Sequence, residues 1–146
     1  MRAFVNALRR ALAASGKLWL GVAMASRLAE EVARRLNDVL PQGVRVHVPP
    51  ATSNFAIYSG DDYCGTQGLG LNSATRSPAE VAEQLEVALG GIQDAVVHAV
   101  NGAWPDLGAG GLPECWAAVA DDELRFGFGQ AVVLPPIPLA LLQQAE

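Results

Sequence analysis

The sequence predicts an α+β fold in two layers, with a mostly antiparallel sheet of two hairpins packed on a long central helix and further helices at the N-terminus. Three observations carry this. From residue 77 to 102 the apolar residues recur at steps of three and four, and both ends of the stretch bear helix signals. Ahead of it, 44–48 and 55–58 alternate with period two. Behind it, 116–120 and 124–128 do the same around Asp121-Asp122.

Residues 1–20 read as an N-terminal helical arm. Phe4, Leu8, Ala11 and Leu12 share a face beside Arg9 and Arg10, and Ser15-Gly16 interrupts the pattern. Trp19, between Leu18 and Leu20, stands in a segment too apolar for a solvated linker and is a candidate interface residue. Over 22–40 the residues Val22, Ala25, Leu28, Ala29, Val32, Leu36, Val39 and Leu40 line one helical face. Glu30/Arg34 and Glu31/Arg35 sit four apart on the other, until Pro41 and Gly43 end the helix.

Val44, Val46 and Val48 alternate with Arg45 and His47, which marks a strand with one buried face and His47 pointing outward. Pro49-Pro50 stops it, and 55–58 returns as the second strand of a hairpin. Residues 59–73 hold four glycines and the string Gly65-Thr66-Gln67-Gly68-Leu69-Gly70. This string lacks the Lys and Ser/Thr of a phosphate-binding loop and opens into no helix, so it reads as a loop with at most a short strand at 68–71.

In the central helix Val81, Leu85, Ala88, Leu89, Ile92, Val96, Ala99 and Val100 form the stripe. Ser77 is a good N-cap, Pro78 suits the first helical position and Glu80 completes a capping box. Asn101-Gly102 supplies a left-handed stop, and Pro105 blocks continuation. A second glycine-rich connection, 108–111, leads to the second hairpin. There Leu124, Phe126 and Phe128 face the core, and Gly127 and Gly129 leave room for another backbone or a ligand. Pro135, Pro136 and Pro138 predict a tail over 130–146 without regular pairing, whose leucines 139–145 offer a docking site.

The 146 residues fit one domain, and a composition 51% apolar and 17% charged marks a chain that folds. The net charge of −5 hides an asymmetry: residues 1–50 carry eight Lys or Arg against three Asp or Glu, and residues 51–146 two against twelve. With an acidic total and no aromatic or Gly-rich recognition motif, the basic half reads as solvated helix faces and argues against nucleic acid. The longest uncharged apolar run, 18–25, is far short of a membrane span. It resembles an export signal only in outline, because the small-residue site at 23–25 lies inside the run. A cytoplasmic protein with reduced Cys64 and Cys115 is therefore expected.

No catalytic, cofactor or metal residue is assigned. A thiol enzyme needs a base beside its cysteine, and nothing in the sequence joins Cys64 or Cys115 to His47 or His98. Asp61-Asp62 and Asp121-Asp122-Glu123 lack the ligand spacing of a calcium loop and suit turns. On the back of the central helix Val87, Gly90 and Val97 point away from the stripe. The pair Gly90-Gly91 costs about 1 kcal/mol per glycine relative to alanine, which leaves two readings: a close approach there by a symmetry mate's helix or by the N-terminal helix, or a tolerated weak spot in the helix.

The order helix, strands, long helix, hairpin, short helical end resembles that of the dimeric secretion-chaperone-like domains, including class I chaperones of type III systems. The resemblance lies in element order, and no residue role is carried over from it. It implies a non-catalytic protein-binding module, an adaptor or chaperone-like accessory, acting as a homodimer or on a protein partner. Trp19, Val87, Gly90, Val97 and Trp104 are its candidate interface residues. One alternative is a small ligand-binding or thiol-dependent enzyme domain with a small molecule under the Gly-rich loops, beside Tyr63, Cys64 and His98. The other is a structural subunit of a larger assembly with both ends as arms.

Overall fold

The computed structural model describes residues 22–71, 77–108 and 111–143. In chain order it contains α1 (Val22–Asn37), β1 (Val44–His47), β2 (Asn54–Ser59), β3 (Asp62–Gly68), α2 (Pro78–Val100), β4 (Cys115–Ala120), β5 (Glu123–Phe128), β6 (Val132–Val133), β7 (Ile137–Pro138) and α3 (Leu139–Gln143). The mixed α+β composition and the antiparallel pairing match the expectation. The strands form two sheets: β1-β2-β3, and a second in which β5 is flanked by β4 on one side and by β6 and β7 on the other.

Helix α1 buries Met24, Leu28, Ala29, Val32 and Leu36, as its period requires. It stops at Asn37, three residues before its expected end, because the Asn37 side chain docks on β1: Oδ1 accepts from the Val46 N–H at 2.8 Å, and Nδ2 donates to the Val46 carbonyl at 2.9 Å. The expected Glu30/Arg34 pair gives way to Arg34–Glu31 at 2.6 Å. Arg35 is no solvated outer-face cation. It is nearly buried, ion-paired with Glu31, and donates to the carbonyls of Pro135 and Pro136, 2.8 and 3.1 Å away.

In the first sheet Val44 and Val46 point inward, Arg45 and His47 outward, and Arg45 lies over the Tyr58 ring at 4.4 Å. The stretch expected to be a loop is largely strand β3. Its ladder with β2 holds one extra residue, Cys64, between the pairs Ile57↔Gly65 and Tyr58↔Tyr63, and Gly65 takes a φ of +144° at this bulge.

Both caps of α2 form as the sequence predicts. Ser77 Oγ accepts from the Glu80 N–H, and Asn101 turns left-handed while its own N–H and that of Gly102 satisfy the last carbonyls. The buried stripe runs from Val81 to Val96, so Val100 lies beyond it and is exposed. The two glycines of the pair differ. A Cβ on Gly91 would collide with the Gln67 side chain of β3, and one on Gly90 would meet Cys115 Sγ of β4 at 3.6 Å. Helix α2 is thus a spine against which both sheets close.

Asp121 and Asp122 both take positive φ, 54° and 60°, as the two-residue hairpin turn between β4 and β5 requires. Leu124, Phe126 and Phe128 are fully buried. What approaches Gly127 is backbone: the Val132 carbonyl of β6 occupies the space of a Cβ. The expected unpaired tail is corrected here. Residues 132–133 and 137–138 pair with β5, and Leu134, Ile137, Leu139 and Leu142 are core residues, so this segment is neither arm nor exposed docking site.

Candidate binding cleft

Two clefts meet at Glu86, on the side where α2 runs past β4. The larger, of about 850 Å³, lies between Glu86 and Gln93 of α2, Leu112 and Trp116 around the start of β4, and Gln130 and Val133 beyond β5. The smaller, of about 480 Å³, follows the first turns of α2 alongside β4 and is lined by Ser77, Ala82, Glu83, Ala117 and Val119.

The walls are held firmly. Gln93, buried within the apolar stripe, donates through Nε2 to the carbonyls of Pro113 and Trp104 at 3.1 and 3.4 Å, which pins the connection after α2 to the helix. Its Oε1 accepts from the Cys115 thiol at 3.7 Å. Trp116 donates from Nε1 to the Gly129 carbonyl at 2.8 Å, fixing the indole across the end of the hairpin. Leu112 and Val133, 43% and 60% exposed, form an apolar rim.

The charge of the clefts has one sign. Glu83, Glu86 and Glu114 line them, and among the described residues no Lys, Arg or His does. Cys115 senses the same field: burial pushes its thiol up, its own backbone hydrogen bond draws it partly back, and Glu86, Asp94 and Glu114 push it up further. A thiol held neutral is a poor nucleophile.

Of the candidate interface residues, Trp19 lies outside the described residues. Trp104 is 7% exposed and packs edge-on against Phe128 at 4.9 Å, so it anchors the core and not an interface. Val97 packs against the core and Gly90 faces Cys115, while Val87 is 65% exposed. At Gly91 the close approach comes from Gln67 of the chain's own β3, whereas Gly90 meets Cys115 in ordinary contact. The candidate pocket residues do not converge on either cleft. Tyr63 is exposed and pairs with Thr66 and Tyr58, Cys64 donates to the Asp62 carbonyl at 3.5 Å, and His98 is an exposed residue of the last turn of α2. Both cysteines are free. Among the described residues no group of His, Cys, Asp and Glu is placed to hold a metal, and no helix is long and apolar enough to cross a membrane.

Sequence reasoning missed Glu86, Gln93 and Leu112. A glutamine inside an apolar stripe was the available signal for Gln93, since a buried amide needs partners from elsewhere in the chain. No protein-family model, curated protein or solved structure matches this chain.

Proposed function

We propose that this chain is a non-catalytic protein-binding module, an adaptor or chaperone-like accessory that works through the cleft between α2 and β4. The observation that supports the reading is the cleft's make-up: a rigid indole, an exposed apolar rim at Leu112 and Val133, and beside it the edge strand β4, whose outer side no other strand pairs among the described residues. Aromatic and aliphatic anchors of this kind are what protein interfaces use, whereas small-molecule sites enclose their ligand and converge polar groups on it. The element order shared with secretion-chaperone-like domains supports the same reading by analogy.

The test places a photo-crosslinking residue at Val133, in the cleft, or at Arg45, exposed on the other sheet, in the full chain expressed in its own cells. Polypeptide adducts are expected from position 133 and not from 45, with native mass spectrometry giving the stoichiometry. A monomer carrying a defined small-molecule mass, with no adduct from position 133, would overturn the reading.

A further inference from the structure

We propose that the outer edge of β4 is a strand-addition site for an extended, basic segment of a partner polypeptide. The proposal rests on the protein-binding reading and specifies the class of partner.

Ladder geometry fixes which groups are offered. The turn at Asp121-Asp122 makes Ala120↔Glu123 a hydrogen-bonded pair, so Ala118 and Trp116 likewise direct their N–H and C=O groups to β5. The alternate residues Cys115, Ala117 and Val119 direct theirs away from it. The Ala117 N–H does point outward, because it donates to Glu86 Oε1 at 3.4 Å.

The other edges are closed in different ways. Asn37 occupies both the donor and the acceptor of Val46 on the outside of β1. The outside of β3 is broken by the Cys64 bulge. Beyond β5, the edge made by β6 and β7 carries Pro135, Pro136 and Pro138, which lack the donor a new strand would need. Strand β4, Cys-Trp-Ala-Ala-Val-Ala, has no proline, no charge and no bulge. Among the described residues a single carboxylate, that of Glu86, covers its middle. Asn37 supplies donor and acceptor together, but Glu86 supplies an acceptor alone.

An incoming strand would pair with Cys115, Ala117 and Val119, and its carbonyl would replace Glu86 at the Ala117 N–H. The displaced carboxylate, still at the surface, is then favoured by a neighbouring cation. With Glu83 and Glu114 also lining the clefts and no cation there among the described residues, the segment that fits carries Arg or Lys alternating with apolar residues. Its cationic side chains would lie on the α2 face of the sheet, beside Glu83 and Glu86, and its apolar side chains on the opposite face, beside Trp116.

The test titrates the isotope-labelled full chain with a short synthetic peptide alternating valine and arginine. Controls are a valine–glutamate peptide and a valine–arginine peptide N-methylated on alternate amides. The expected result is a shift of the Cys115, Ala117 and Val119 amide resonances by the arginine peptide and loss of binding on methylation. Affinity should fall about fivefold in Glu86→Gln, with preference moving to the glutamate peptide in Glu86→Lys. Binding that ignores methylation or Glu86, or no binding by the arginine peptide, would overturn the proposal. So would resonances at 115–119 that shift with protein concentration alone, which would assign the edge to a second copy. Crosslinks at position 133 that persist in any of these cases would leave the protein-binding reading standing without strand addition.

Discussion

Gln93 and Gly90 occupy adjacent turns of one helix and show how side-chain detail shapes the cleft. A leucine at position 93 would have extended the apolar stripe, but the glutamine secures the Pro113 and Trp104 carbonyls and so fixes the cleft wall. Gly90 lies one turn earlier, under Cys115. Its Cβ would sit in ordinary contact with that sulfur, 3.6 Å away. Gly90→Ala is therefore expected to stabilise the chain by about 0.5–1 kcal/mol, the helix-propensity gain, seen as a higher urea midpoint with an unchanged slope. A fall in the midpoint would mean that something approaches Gly90 more closely than Cys115 does. Gly91 differs, because the Gln67 side chain occupies the Cβ position, and the sequence alone could not tell the two apart.

Elements were legible in the sequence where one face is apolar and the ends are capped. Helix α2 was readable to within a residue, and β4–β5 nearly so, because Ser77, Asn101 and the Asp121-Asp122 turn act through local backbone chemistry. Strand β3 was not. Its residues Asp-Tyr-Cys-Gly-Thr-Gln-Gly have no alternation, and only pairing with β2 makes them extended. The C-terminal segment was misread for the converse reason. Proline forbids donation to a ladder, but at a sheet edge a proline loses nothing, so Pro138 can sit opposite Glu123 while Ile137 fills the core. If 134–142 is core and not arm, Leu142→Ala should destabilise the fold by about 2–5 kcal/mol, measurable by urea denaturation. A change below 0.5 kcal/mol would restore the arm.

At the scale of the whole molecule, two sheets close on one helix, and three of their edges are shielded by an amide side chain, a bulge and prolines. The charge asymmetry of the sequence takes a different meaning once folded. Arg34, Arg35 and Arg45 engage Glu31, the proline carbonyls and Tyr58, whereas the acidic side chains Glu83, Glu86 and Glu114 face the clefts. Of the candidate site, the sequence revealed the strand and the glycine pair. The cleft was hidden because Glu86, Leu112, Trp116 and Val133 meet only through tertiary packing. Residue-resolved amide hydrogen exchange on the full chain reports whether the outer edge of β4 is free to take a further strand. A free edge gives alternation, with Trp116 and Ala118 slow, Val119 fast, and Ala117 between them because Glu86 covers it. Uniform slow exchange from Cys115 to Ala120 would show the edge already paired and would rule out strand addition there.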